Sequence, residues 1–125
     1  MATNILLLAA AGALGTLARV GLCGAVQRLA GTDFPVGTLA VNAAGAFLFG
    51  VIWSLAQERM PISPQARLIL LAGFLGAFTT FSTFAFETGQ LLSDRQWVMA
   101  AANVAAQNIL GVGLFLAGVV LARAL

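Results

Sequence analysis

The feature that most constrains this chain is a series of long apolar stretches without a charged side chain. No charge occurs in 34–57, 68–86 or 96–122, and only Arg19 interrupts 1–27. A helix needs roughly 20 apolar residues to cross a bilayer, and it satisfies its own backbone groups there. With only 8% of 125 residues charged, the sequence predicts an all-α membrane protein. We expect one transmembrane domain over 1–125, with spans at about 4–27, 34–57, 68–91 and 96–122.

The arginines are divided almost evenly between the two sides of such a four-helix chain. Arginines near span ends normally set orientation. One side would carry Arg59, Arg67 and Arg123, and the other Arg28 and Arg95. Two interpretations stay open: a small protein with few charges to count, or dual topology, in which both orientations insert and an antiparallel homodimer forms. A net charge of +2 spread over the loops does not make a nucleic-acid-binding surface, so no nucleic-acid partner is expected.

Small residues recur at helical spacing in three of the spans. They include Gly12 and Gly15 in the first span, Gly45 and Gly50 in the second, and Gly111 and Gly118 in the fourth. Small side chains let helix backbones approach closely in lipid, where packing drives association. Because four helices alone enclose little, we expect the chain to associate with itself.

The third span contains a segment that is a poor helix former. Gly73 and Gly76 precede a hydroxyl-rich run over 79–83. Glycine and β-branched residues lower helix propensity, and hydroxyl groups compete for the backbone. We predict a break in the third helix near 76–80, whose freed carbonyls can bind a cation. The alternative is a continuous helix in which each hydroxyl bonds a carbonyl one turn earlier.

Polar and aromatic side chains mark candidate site positions inside the spans. Asn42 either points an amide donor at an ion or forms a hydrogen bond between helices. Glu87 and Arg19 are ionisable groups within spans, where such groups usually serve function, although both can also extend to the interface. Phe81 and Phe84 share a helix face, and the positive edge of an aromatic ring can face an anion.

The fourth span carries a polar stripe, and the chain lacks catalytic groups. Asn103, Gln107 and Gly111 follow each other at spacings of four, which places them on one helix face. The sequence has no histidine and no plausible pair of nucleophile and base. We therefore expect that the protein is not an enzyme.

Three segments resemble the Fluc (CrcB) family of fluoride channels. They are Gly-Ala-Phe-Thr-Thr-Phe-Ser-Thr-Phe at 76–84, Gly-Thr-Leu-Ala-Val-Asn-Ala-Ala-Gly at 37–45, and Gly-Thr-Leu-Ala-Arg at 15–19. The resemblance extends over the whole chain in length and number of spans. It implies an antiparallel dual-topology homodimer with two pores, in the bilayer of a bacterial inner membrane, that passively exports fluoride from the cytoplasm.

The resemblance also implies residue roles. Asn42 would hydrogen-bond fluoride, Phe81 and Phe84 would line its path, and Arg19 would lie in a vestibule. Backbone carbonyls from both subunits would bind a structural sodium ion, and a polar track would adjoin the path. The carbonyls are those of Gly76 and Thr79, and the track residues are Thr38, Ser82, Thr83 and Glu87. The family often has hydroxyl or Tyr side chains in the fourth span, where this chain has Asn103, Gln107 and Gly111.

Fluoride itself fits the residues of the spans. A pore must replace the hydration of this small anion with hydrogen-bond donors, and conduction requires weak, multiple sites. The mid-span polar residues are neutral donors of that kind. Two alternatives remain: a small dual-topology proton-coupled drug exporter that uses Glu87, and a non-transporting membrane assembly subunit in which Asn42 only stabilises packing.

Overall fold

The computed structural model describes residues 2–58, 60 and 62–125. Within these ranges every regular element is helical, and four segments are long and apolar enough to cross a membrane. The elements are α1 (Ala2–Ala30), α2 (Val36–Glu58), α3 (Pro64–Arg67), π1 (Leu68–Leu75), α4 (Gly76–Phe78), α5 (Phe81–Ser93) and α6 (Trp97–Ala124). The prediction of an all-helical chain with four membrane spans is confirmed, with Pro64–Ser93 as the third. Arg59, counted in the charge comparison, lies outside the described residues.

The third span changes its backbone conformation along its length. Ser63 caps α3 by accepting a hydrogen bond from the Ala66 N–H at 3.1 Å, and Pro64 occupies the first turn, where proline is tolerated. The eight residues of π1 follow. Between α4 and α5 the backbone is extended, with φ/ψ of −90°/158° at Thr79 and −149°/108° at Thr80. The Thr80 hydroxyl then accepts from the Thr83 N–H at 3.2 Å and caps α5.

Helices α2 and α6 form the most extensive contact of the fold. Two glycines permit it: Gly50 lies against the Phe115 carbonyl, and Gly118 lies against the Phe47 carbonyl. A Cβ atom at either glycine would collide with the backbone of the other helix. Gly111, from the same sequence pattern, faces open space in the single chain. The pattern therefore included both glycines of the contact and one, Gly111, that lies outside it.

Helix α1 packs against π1, α2 and α4. Gly15 is its only buried residue in the described part of the chain, and it lies against the Phe74 carbonyl. The apolar core beside this contact consists of Val41, Leu71, Leu75 and Phe78. The extended backbone at 79–80 follows this core along the chain, and Thr79 lies against Gly45 of α2.

Candidate functional site

The centre of the candidate site is a pair of hydrogen bonds between Asn42 and the backbone of Thr80. The Thr80 N–H donates to Asn42 Oδ1 at 2.7 Å, and Asn42 Nδ2 donates to the Thr80 carbonyl at 3.1 Å. Both backbone groups are available because Thr80 is extended rather than helical. Since Thr80 is buried, these bonds satisfy groups that would otherwise be left unpaired at membrane depth.

Helix α6 contributes Gln107 to the same site. Asn42 Nδ2 donates its second hydrogen bond to Gln107 Oε1 at 3.0 Å. Asn42 thus joins α2, the extended segment and α6 through its amide. Gln107 Nε2 is buried and has no hydrogen-bond partner among the described residues.

A cavity of about 350 Å³ adjoins these amides. Its walls are mainly apolar and aromatic, with a few polar groups, which is typical of sites that bind small ligands. The side chains that define it include Asn42, Gln107, Phe49, Phe81, Phe84 and Phe115. The structure therefore brings Asn42 of the second span together with Phe81 and Phe84 of the third, all three predicted from the sequence as site residues.

Phe81 and Phe84 meet edge to face at one wall of this cavity. Their ring centroids are 5.5 Å apart and the rings are inclined by 64°. The edge-to-face arrangement matches the positive edge of one ring with the negative face of the other. Phe81 is 78% exposed in the single chain, whereas Phe84 is half-buried. The outer side of the Phe81 ring is thus left to lipid or to another protein chain.

Glu87 lies apart from this cavity and is paired with Thr38. The Thr38 hydroxyl donates to Glu87 Oε1 at 2.6 Å and joins α2 to α5. Its second oxygen, Oε2, is buried without a partner in the described ranges. Glu87 lines a second cavity of about 370 Å³ together with Cys23, Gln27 and the loop carboxylates Asp33 and Asp94.

The predicted hydroxyl residues are divided between the protein interior and its surface. Thr80 donates its hydroxyl hydrogen to Thr83 Oγ1 at 2.9 Å, and Ser82 Oγ lies 3.4 Å from Thr80 Oγ1. Thr83 is half-buried and Ser82 is exposed. Together the three hydroxyls form a short chain at the start of α5.

The other predicted residues, Arg19, Gly76 and Thr79, lie in or near the extended segment at 79–80. Arg19 Nε donates to the Ala77 carbonyl at 3.1 Å, close to the C-terminal end of α4, where a cation is favourable. Thr79 donates its hydroxyl to the Leu75 carbonyl at 3.1 Å, and its methyl group contacts Gly45. Gly76 is exposed in the single chain.

Three residues at or beside the site were not predicted from the sequence: Thr88, Phe49 and Phe115. Thr88 accepts from Asn103 Nδ2 at 3.0 Å and donates to the Phe84 carbonyl at 2.8 Å, so it connects the fully buried Asn103 to α5. A hydroxyl within an apolar span was its one visible signal. Phe49 and Phe115 line the cavity, with ring centroids 6.4 Å apart. A phenylalanine in an apolar stretch carries no spacing signal for such a role.

Comparison with known proteins gives a consistent assignment along the chain. The family model described as "CrcB-like protein, Camphor Resistance (CrcB)" matches residues 6–119. The fluoride-specific ion channel FluC of Nitrosococcus oceani is 57% identical over 104 residues, 83% of each chain. That of Solidesulfovibrio magneticus is 52% identical over 116 residues, 93% of each chain. That of Geobacter sulfurreducens is 49% identical over 123 residues, 98% of this chain and 99% of the relative.

These matches cover all four spans and the segments that hold the site. The relatives are named as ion channels, a class of protein that is not enzymatic. Together with four apolar helices, they identify a multi-pass membrane protein. The chain belongs to the CrcB family.

Proposed function

We propose that this protein is a fluoride-selective ion channel that passively exports fluoride from the cytoplasm. The observation that carries the proposal is the half-buried amide network of Asn42 and Gln107 at an aromatic-walled cavity. It is supported by relatives at up to 57% identity that are named fluoride-specific ion channels.

The chemistry of the cavity suits a small, strongly hydrated anion. Fluoride gives up its water shell only where hydrogen-bond donors replace it, and it leaves again only if no single site holds it too tightly. The cavity offers neutral amides and the ring edges of Phe81 and Phe84. Because these groups carry no full charge, each attracts the anion weakly, as conduction requires.

The remaining polar residues form the proposed approaches to this cavity. Thr38 and Glu87 are joined by a short hydrogen bond, and Thr83 and Ser82 extend the polar surface along α5. We include these four residues in the polar track. Arg19 adds positive potential beside the extended segment, which raises the local concentration of anions.

The proposed assembly is an antiparallel dual-topology homodimer with two pores. Its support is the near-even division of arginines in the sequence and the exposure of Phe81, a cavity-lining aromatic ring, in the single chain. In a dimer a second copy covers this ring and closes the cavity wall. Each of the two copies then contributes to both pores.

A structural sodium ion is proposed at the dimer centre, bound by the carbonyls of Gly76 and Thr79. In a regular helix these carbonyls would accept from the N–H groups of Thr80 and Thr83. Those N–H groups donate instead to Asn42 Oδ1 and Thr80 Oγ1. Freed backbone carbonyls of broken helices coordinate sodium in other membrane proteins. Two carbonyls are too few to replace a hydration shell, so a second copy must supply two more.

The sodium proposal is tested with two substitutions, one that leaves the local backbone conformation unchanged and one that alters it. Thr79→Ser keeps the carbonyl and the hydroxyl, so we expect normal dimer assembly and fluoride flux. Gly76→Pro keeps the carbonyl oxygen but changes the local backbone, and we expect loss of sodium-dependent activity. Flux that is equal in sodium and in N-methylglucamine solutions would remove sodium from the proposal.

Transport is tested with purified protein in liposomes loaded with potassium fluoride. Valinomycin carries the compensating charge, and a fluoride electrode records efflux without a pH gradient. We expect rapid fluoride release and little chloride release from matched vesicles. Proton-coupled movement of an organic cation would instead identify a drug exporter, and absence of any transport would indicate an assembly subunit.

Topology is tested by labelling single cysteines in intact cells. After Cys23→Ala, one variant carries Gln65→Cys and another carries Asp94→Cys; both positions are exposed. Dual topology predicts that each cysteine is labelled from both sides of the membrane. Labelling confined to one side at both positions would exclude an antiparallel dimer.

A further inference from the structure

The orientation of the Asn42 amide is determined by the backbone of Thr80. The Thr80 N–H requires an acceptor and its carbonyl requires a donor, and Asn42 supplies Oδ1 to the first and Nδ2 to the second. A reversed amide would place two donors together and two acceptors together. The Asn42 side chain therefore has one permitted orientation.

That orientation leaves Asn42 without a free N–H group. Nδ2 carries two hydrogens: one is donated to the Thr80 carbonyl at 3.1 Å and the other to Gln107 Oε1 at 3.0 Å. The contact with Asn42 in turn fixes the Gln107 amide, because only its oxygen can face a donor. Gln107 must therefore direct Nε2 away from Asn42.

The hydrogen bonds that run from Thr80 through Asn42 to Gln107 end at Gln107 Nε2, a donor without a partner in the described residues. It is buried and has no hydrogen-bond partner in residues 2–58, 60 and 62–125. Buried polar groups are nearly always hydrogen-bonded, and an exception calls for a ligand or a water molecule. Since Gln107 lines the cavity with Phe81 and Phe84, an anion in the cavity can reach Nε2 through a small shift of the neighbouring side chains that leaves Oε1 bonded to Asn42 Nδ2.

We infer that Gln107 Nε2 is the main amide donor to fluoride in this chain, and that Asn42 is a positioning residue that orients it. The inference rests on the proposed function and reverses the sequence-based expectation for Asn42. Fluoride competes for a donor that has no other partner, so binding does not require the bonds between Asn42 and Thr80 to break. The extended segment at 79–80 thereby sets the orientation of the Gln107 amide on α6 through the side chain of Asn42.

A water molecule is the competing occupant. Asn103 Oδ1 is a second buried group without a partner among the described residues, and it lies one helical turn before Gln107. A water between the two would accept from Nε2 and donate to Oδ1. In that case Gln107 would contribute to packing and not to ion recognition, and its amide would be insensitive to fluoride.

The direct test is solid-state NMR of the side-chain amides in lipid vesicles. Protein labelled with ¹⁵N at glutamine and asparagine is titrated with sodium fluoride, with sodium chloride as the control. Signals are assigned from Gln107→Glu and Asn42→Asp samples. We expect the Gln107 NH₂ signals to shift with fluoride while those of Asn42 remain in place. A shift at Asn42 without one at Gln107, or no shift at either, would overturn the inference.

Fluoride flux provides a second, independent measurement. Gln107→Met keeps the length of the side chain and removes its donor, and Gln65→Met makes the same change at an exposed position in α3. We expect flux to fall about tenfold or more in the first, since a hydrogen bond to a charged group is lost, and to stay unchanged in the second. If wild-type vesicles release no fluoride, the proposed function fails. If they do and Gln107→Met equals wild type, only the role of Gln107 fails.

Discussion

The substitution Asn42→Asp tests whether the amide network stabilises the fold as well as the site. It preserves shape but replaces the Nδ2 donor with a second oxygen. The Thr80 N–H keeps its acceptor. The Thr80 carbonyl and Gln107 Oε1, however, each lose a donor at 3.1 and 3.0 Å respectively and face an acceptor instead.

The expected loss of stability follows from the bond to the Thr80 carbonyl, because Gln107 can turn its amide and donate Nε2 to the new carboxylate. Leaving the Thr80 carbonyl unpaired costs about 1–3 kcal/mol. If the new carboxyl group binds a proton, its O–H can donate to this carbonyl, and the loss stays at the lower end. Asn108→Asp is the matched control, since Asn108 is exposed and, within the described ranges, its side chain donates to the Val104 carbonyl of its own helix. We expect the control to change stability by less than about 1 kcal/mol.

The assay is equilibrium unfolding in mixed micelles, followed by the fluorescence of Trp53 and Trp97. All samples are held at one protein concentration, because self-association contributes to apparent stability. The reasoning predicts a clear difference between Asn42→Asp and Asn108→Asp. Equal free energies of unfolding for the two variants would refute it, and would show that the bonds of Asn42 have no net effect on the fold.

Further predictions concern packing and the conduction path. Gly118→Ala forces a methyl group against the α2 backbone and should lower the free energy of unfolding by about 1–3 kcal/mol. Gly111→Ala places its methyl group in open space and should be neutral or slightly stabilising. Equal effects of the two substitutions would contradict the close contact. Phe81→Ile and Phe84→Ile keep apolar volume but remove the ring edge, so fluoride flux should slow while assembly, measured by size-exclusion chromatography, is retained. Unchanged flux would mean that these rings only fill space. Thr38→Val leaves Glu87 Oε1 without its donor and should lower stability by about 1–3 kcal/mol in the same unfolding assay, an outcome that a solvated carboxylate would not give.

The sequence by itself determined the number of helices that are long and apolar enough to span a membrane. Charge-free apolar stretches leave few options in a bilayer, because backbone polar groups must be satisfied within the chain. Composition around 73–84 also indicated a poor helix former, since glycine and β-branched residues have intrinsic costs that need no tertiary context. The selection of Asn42, Phe81 and Phe84 followed from residue type, spacing and family resemblance.

Only the tertiary structure decided which polar groups meet and in which orientation. Thr80 and Gln107 lie 38 and 65 residues after Asn42 in the chain, and no local periodicity connects the three. An amide can donate or accept, so its role depends on the neighbour that it contacts. The backbone of Thr80 sets the orientation of Asn42, and Asn42 sets that of Gln107. A free donor therefore arises on α6 from the conformation of two residues in the third span.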